Sequence, residues 1–351
     1  MTHLWIRAES RANEKRVGAT PRGVAQLVAR GIHVTVEDSA HRVLPIADYA
    51  AAGARIAAPG SWREAPAETL VFGLKELPED GTALVHRHIM FGHAFKGQGA
   101  GKALLRRFAQ GGGALYDLEY LVDAEGRRVA AFGYWAGFAG AAVSAMAWAA
   151  QQTGRPCPPV DTWDSSEALV KEVQQALNGS ASRRPDALVI GALGRVGRGA
   201  RALCEAVGVA VTPWDMAETA HGGPFPEVLA HELFFNCILA APGVPVFVPS
   251  EVGGMPRRLS VIGDIACDPD SDYNPVPVYD RATSWEHPVL RVQDVPPLDV
   301  MAIDNLPSLL PLESSEDFAD QLLPHLLALD ALDAGVWGRA HQTYLTHRPE
   351  A

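Results

Sequence analysis

The chain has 351 residues, 48% of them apolar, and a formal net charge of −11. That length exceeds what one hydrophobic core usually serves, so two domains are expected. A surface of that sign repels phosphate backbones and anionic lipids, so neither nucleic acid nor a membrane is expected as a partner. A small acidic ligand remains open to it wherever local cations line a pocket.

The first 130 or so residues alternate short apolar runs with helical patterns. "HLWIRAE" reads as a strand. "PRGVAQLVARG" carries Pro at a first helical turn and Gly at the stop. "IHVTVEDS" is a second strand, "PIADYAAAG" a short helix and "ARIAAP" a third strand. "TLVFGLKE" and "HIMFGHAF" follow as strands, then "GKALLRRFAQGG" as a helix. Such alternation predicts a parallel sheet covered by helices. "LYDLEYLVDAEGRRVAAFG" is expected to form a hairpin turning at "DAEG".

Phe132 to Gln152 carries no charge and is long enough to span a bilayer. It is mostly Ala and Gly, poor in Leu, Ile and Val, and reads instead as a buried helix between domains. "SSEALVKEVQQALNG" is a helix capped by Ser165 or Ser166. A new β/α series begins at "ALVIGALGRVGRGARALCEAVGV", and "VAVTPWD", "ELFFNCIL", "RLSVIGDIA" and "DVMAIDNLP" read as its later strands. The tail "SSEDFADQLLPHLLALDAL" has a helical pattern. Cys157, Cys204, Cys237 and Cys267 lack zinc spacing and read as reduced thiols of a cytoplasmic protein. The opening "MTHLWIRAESRANEKR" lacks the apolar core of a secretory signal.

The apolar run Ala187 to Ile190 leads into glycines at 191, 194 and 197 and then into a helix. Glycine lets a backbone turn tightly and approach a pyrophosphate, and a helix N-terminus offers N–H groups and positive potential. Asp215 ends the next strand. A carboxylate there accepts hydrogen bonds from a ribose 2′-OH and repels a 2′-phosphate, which favours NAD over NADP. The pattern is GxxGxxG rather than GxGxxG, and Arg198 and Arg201 lie close enough in sequence to accommodate NADP. A tight turn that binds nothing is the bland alternative.

With the motifs in view, the sequence resembles the NAD-dependent, lysine-forming saccharopine dehydrogenase family. The resemblance is carried, in order along nearly the whole chain, by "RAESRANEKRVGATP", "VEDS", "GSWREAP", "GLKELPED", "LVHRHIMFGHAFKGQ", "LYDLEYL", "GRRVAAFGYWAGFAGAA", "IGALGRVGRGA", "WDMAET", "GGPF", "NCI" and "IDNLPSLLP". It implies an α/β fold of two Rossmann-like domains with an interdomain active-site cleft. Residues 1–131 plus 316–351 would form the substrate-side domain, and 132–315 the dinucleotide-binding domain. It implies reversible oxidation of saccharopine by NAD to L-lysine and 2-oxoglutarate in a cytoplasmic enzyme, expected as a monomer.

The resemblance implies that Lys75 and His93 are the acid–base pair. It assigns Arg16, Lys96, Gln98, Glu119, Arg128 and Phe132 to substrate. It assigns Arg127, Gly191, Gly194, Arg195, Asp215, Thr219, Leu239, Ile265 and Asp304 to the dinucleotide. No metal is called for. Asn305, Leu312 and Ala266 depart from the family pattern, where His, Arg and Ser are common. Two alternatives stay open: a dehydrogenase of another opine-like N-(carboxyalkyl) amino acid, and a non-catalytic NAD(H)-binding sensor.

The chemistry asks for these residue types. Removing a hydride beside a secondary amine requires the amine to be neutral, and a lysine whose charge is disfavoured can take its proton. Hydrolysis of the resulting imine needs a group titrating near neutrality, for which His93 is suited. Three substrate carboxylates need several cations, which Arg16, Arg128 and Lys96 offer. Taken alone, Lys75 reads as a solvated strand end, His93 as a structural histidine, and Arg127 and Arg128 as the solvated end of a hairpin.

Overall fold

The computed structural model describes residues 2–11, 13–95, 99–180, 182–239 and 241–349. It divides into two compact units, Met1–Ala131 with Pro311–Ala351, and Phe132–Leu310. Each is built on its own six-stranded sheet.

In the first unit the chain runs β1 (His3–Ile6), α1 (Pro21–Ala29), β2 (His33–Glu37), α2 (Ile46–Ala51), β3 (Arg55–Ala57), β4 (Leu70–Phe72), β5 (Arg87–Met90), α3 (Gly99–Gly111) and β6 (Ala114–Asp117). Thr20 caps α1, its hydroxyl accepting the Gly23 N–H, and Pro21 fills the first turn. All pairings are parallel, in the order β3-β2-β1-β4-β5-β6. β4 and β6 are buried throughout, as expected of parallel strands covered on both faces.

Past β6, the expected hairpin is much reduced. β6 is a sheet strand and gives way to a 3-10 turn at Leu118–Tyr120. One antiparallel bridge, Val122 to Arg128, then closes a turn in which Asp123 accepts the N–H groups of Glu125 and Arg127. Aspartate capping makes a tight turn sufficient without paired strands.

The second unit opens with α4 (Gly133–Gln152) and α5 (Ser166–Ser180), then β7 (Asp186–Ile190), α6 (Arg195–Val207), β8 (Ala210–Trp214), α7 (Met216–Thr219), α8 (Pro226–Ala230), β9 (Leu233–Asn236), β10 (Val261–Asp264), β11 (Leu290–Gln293) and β12 (Leu298–Met301). The strand order is β11-β12-β10-β9-β7-β8, parallel except for β11. Helix α4 belongs to the core of this unit rather than to a connection between domains. It packs with α5, α6 and the sheet, and its Ala-rich middle is buried. Its Gly and Ala content is what lets α6 approach: a β-carbon built at Gly137 would lie 1.8 Å from the Val196 carbonyl oxygen. Among the described residues, no helix is long and apolar enough to cross a membrane.

The chain then returns to the first unit with α9 (Pro311–Leu326) and α10 (Gly335–His347). The Val17 N–H donates to Ser315 Oγ at 2.9 Å, and Tyr344 Oη donates to the Gly113 carbonyl at 3.2 Å, fixing both helices to the β1–β6 unit.

Candidate active site

Strand order locates the two crevices. In the first unit the chain leaves β1 for β2 on one side and comes back to β4 on the other. A crevice therefore opens beyond the carboxyl ends of β1 and β4, the switch point at which such sheets bind ligands. The segments after β1 (Arg7 to Glu9) and after β4 (Gly73 to Lys75) lie there. A cavity of about 20 Å³, room for one water, is lined by Arg7, Glu9, Glu14, Arg16 and Gly73 among others.

Lys75 and His93 each lie three residues past a strand, β4 and β5, which are hydrogen-bonded neighbours. The pairing continues past the strand ends, with the Gly73 N–H donating to Ile89 and the Phe91 N–H to Leu74. Both side chains thus issue from one edge of the sheet. Burial, and after it the Arg16 charge, hold the Lys75 amine below its ordinary pKa, against the opposing pull of Glu14 and Glu76. Arg16 is itself buried and pairs with Glu14 through two bonds of 2.8 and 2.7 Å. Burial pushes the Glu14 carboxyl up, but the Arg16 bonds and charge outweigh it and hold it below its usual range.

His93 adopts φ +47, a left-handed conformation uncommon outside glycine. Its Nδ1 lies 3.5 Å from Glu119 Oε2, while Arg128 Nη2 lies 3.4 Å from Glu119 Oε1. The hydrogen bond to Glu119 raises the imidazole above its usual value against the pull of burial. Beneath them Asp117, fully buried, accepts the Glu119 N–H at 2.9 Å and is pushed up to about 6, chiefly by burial. Lys96 and Gln98 lie outside the described residues. Arg127 sits apart, on the exposed turn, paired with Asp123 at 2.9 Å and Glu125 at 3.3 Å. Phe132 precedes the first turn of α4 in the other unit.

In the second unit the switch point falls between β7 and β9. Gly191 turns with φ +85, and a β-carbon there would meet Ile238 Cγ2 at 2.6 Å and the Cys237 carbonyl oxygen at 2.9 Å. At Gly194, which caps α6, a β-carbon would have, among the described residues, only the Gly191 oxygen within 4 Å, at 3.4 Å. Arg195 opens the helix. Asp215 follows β8 and takes the Leu193 N–H at 3.0 Å and the Met216 N–H at 2.9 Å, so it braces the glycine turn as well as capping α7. Thr219 donates its hydroxyl to the Asp215 carbonyl. Leu239, 69% exposed, follows β9; Ile265, buried, follows β10; Asp304, exposed, follows β12. The carboxyl ends of β7, β8, β9, β10 and β12 thus gather these residues at one edge. An open turn before a thirteen-residue helix, with a carboxylate at the next strand end, fits the pyrophosphate and ribose of a dinucleotide.

Sequence reasoning passed over Arg7, Glu9 and Glu14. The signal for Arg7 and Glu9 is positional: polar residues immediately beyond the first strand occupy the place that the glycine turn occupies in the second unit.

Two such sheets, one with a glycine turn and the other with a lysine–histidine edge, define a Rossmann-type dehydrogenase. The alanine dehydrogenase/PNT N-terminal domain family matches residues 5–139. A solved L-alanine dehydrogenase shares the fold with a TM-score of 0.68 at 17% identity, covering 99% of this chain and 100% of that one. Saccharopine dehydrogenase (NAD+, L-lysine-forming) of Schizosaccharomyces pombe is 43% identical, covering 98% of both chains. The Candida albicans enzyme of that name is 42% identical, covering 98% of this chain and 96% of its own. The chain belongs to the saccharopine dehydrogenase family.

Proposed function

We propose that this protein is an NAD-dependent dehydrogenase that oxidises the secondary amine of saccharopine and releases L-lysine and 2-oxoglutarate, reversibly. The observation that carries this reading is the pairing of a half-buried lysine of lowered basicity with a histidine of raised basicity on adjacent strand ends. A binding module has no need of a matched acid and base.

When bound, the dinucleotide supplies the hydride acceptor. Gly191, Gly194 and Arg195 would face its pyrophosphate, and Asp215 its adenosine ribose. Thr219, Leu239, Ile265, Asp304 and Arg127 complete the proposed set. Lys75, neutral, takes the proton from the substrate nitrogen as the C–H bond is lost and the C=N bond forms. His93 then takes a proton from water as its oxygen adds to the imine carbon. Lys75 returns its proton to the nitrogen as the carbinolamine forms; His93 then protonates that nitrogen as the C–N bond breaks while Lys75 takes the hydroxyl proton, which gives amine and keto acid and leaves one proton for solvent. Arg16 and Arg128 set positive charge near the substrate carboxylates, and Lys96 and Gln98 are assigned to the same substrate. Glu119 offsets that charge and orients His93, and Phe132 borders the substrate. The four free cysteines suit a reducing cytoplasm, where we place the protein as a monomer.

The test is a panel of saccharopine, simple opines and alanine with NAD, read as NADH absorbance. The reading expects saccharopine to give the highest kcat/KM. A higher value for an opine would move the assignment to that amine, and no turnover with any member would leave only binding.

A further inference from the structure

The backbone that carries Lys75 is held by a buried ion pair from a distant part of the sequence. Arg7 and Glu9 follow β1, their side chains 2% and 9% exposed and 3.2 Å apart. Glu9 accepts both successive N–H groups, Leu74 at 2.6 Å and Lys75 at 3.0 Å, one on each carboxylate oxygen. Arg7 Nη2 donates to the Lys75 carbonyl oxygen. Its route passes directly over Gly73, where a β-carbon would lie 2.3 Å from Arg7 Nε. Two donors and one acceptor of the lysine-bearing segment are therefore claimed by a single pair of opposite charges.

Stability alone does not ask for this. Buried ion pairs are costly to desolvate, and apolar replacements of similar volume are often as stable. Their distinctive property is fixed geometry: a charged acceptor with two donors, and a planar donor shared between a carbonyl and its partner carboxylate. A catalytic group is effective only while its support holds it in line with the reacting atom, and a misplacement of about 1 Å costs on the order of 10²-fold.

We propose that Arg7 and Glu9 are positioning residues that set the alignment of Lys75 with the substrate nitrogen. This rests on the reading of Lys75 as the base. Neither residue touches substrate in this proposal; both act through the peptide groups of Leu74 and Lys75.

The test compares Glu9→Gln, Arg7→Lys and Lys75→Met in the full chain. A glutamine at position 9 accepts one N–H and presents its own amide hydrogens to the other. A lysine at position 7 keeps the charge but replaces the planar fork with a single donor nitrogen, so it tests positioning even where Glu9→Gln does not fold. Active sites are counted by NADH titration, and kcat and KM for saccharopine are measured per site, with melting temperatures alongside. Positioning predicts that kcat per site falls by about 10- to 10²-fold, with the NADH Kd within about twofold of wild type. A lower melting temperature with kcat per site unchanged would overturn the proposal and leave a structural clamp. Near-wild-type turnover in Lys75→Met would instead overturn the reading of Lys75 itself.

Discussion

Glu119 Oε2 stands 3.5 Å from His93 Nδ1, and this contact sets when the imidazole is charged. The same carboxylate reaches Arg128 through its other oxygen at 3.4 Å. It therefore ties His93 to Arg128, the proposed acid–base group to a proposed substrate cation.

The Glu119 contact yields a pH prediction. Its hydrogen bond raises His93 above the ordinary histidine value. Glu119→Gln removes the negative charge and keeps a polar partner, so the His93 pKa should fall. The limb of the kcat/KM profile that reports His93 should move to lower pH, and histidine NMR titration should move with it. The half-exposed contact, 45% on the His93 side, gives little stability. Any contribution is present below the unfolded histidine pKa and is lost as pH rises through the higher folded value. An unmoved titration in Glu119→Gln would sink the assignment of Glu119 as the group that tunes His93.

Lys75→Met keeps length and apolar bulk and removes the amine. It should fold, bind NADH and lose at least ~10²-fold in turnover, the lower range for general acid–base groups. His93→Gln should also slow turnover, with less effect on a single-turnover NADH burst if its main task is water addition. The double variant should lose less than the product of the single losses, because both groups serve one proton network. Full multiplicativity would argue that the two act in separate steps without coupling.

Asp215 should hold the preference for NAD. Its carboxylate also braces the glycine turn through the Leu193 N–H. Asp215→Asn keeps an acceptor for that N–H and removes the charge that repels a 2′-phosphate. The ratio of NADPH to NADH dissociation constants, read by fluorescence titration, should therefore fall by about tenfold or more, the 1.4 kcal/mol scale of one charge contact. If the wild type binds both equally, Arg198 or Arg201 governs that end of the site instead.

Much of the architecture is readable from apolar periodicity. Parallel strands buried on both faces give short continuous runs, as in "TLVF" and "ALVI", and the helices between them show capped amphipathic stretches. β11 is not readable in this way. It is an antiparallel edge strand, only partly buried, so no apolar run marks it. The proposed acid–base pair, Lys75 and His93, stands out as titratable residues ending apolar runs. The Arg7–Glu9 support does not, because its partners at Leu74 and Lys75 are distant in sequence and meet only through strand order. The α4 stretch has the opposite difficulty. Its composition announces burial but not the partner.

Asp117 should make the protein less stable at neutral pH than it need be. Its folded pKa of about 6 lies above the ordinary aspartate value, mainly through burial. The folded state therefore keeps the proton longer than the unfolded state. Stability is highest below about pH 4 on this account and falls as pH rises toward 6, by on the order of 1–3 kcal/mol. Asp117→Asn retains an acceptor for the Glu119 N–H and carries no charge. Its melting temperature should exceed wild type at pH 8, and the gap should close toward pH 4. A gap independent of pH would mean the carboxylate is not the cause.

The crossing of α4 and α6 should reverse the usual effect of replacing a helical glycine. Alanine is favoured over glycine in a helix interior by about 1 kcal/mol, so propensity alone predicts stabilisation at any such site. At Gly199 the new β-carbon would lie 1.8 Å from the Tyr134 carbonyl oxygen, which is backbone and cannot swing aside. Gly137 meets the Val196 carbonyl on the other side of the same crossing, so the two helices are locked reciprocally. Gly199→Ala should therefore destabilise by about 1–3 kcal/mol, the usual cost of overpacking. It should also weaken NADH binding, because α6 carries Gly194 and Arg195 at its start. Gly179, in α5, has nothing among the described residues within 4 Å of its β-carbon position and serves as the control. Gly179→Ala should be neutral to stabilising by up to about 1 kcal/mol. Denaturant melts of the two variants, with NADH titration of each, decide the matter. Equal stabilisation in both would show that α4 and α6 can separate without loss, and that the glycines at their crossing have another cause.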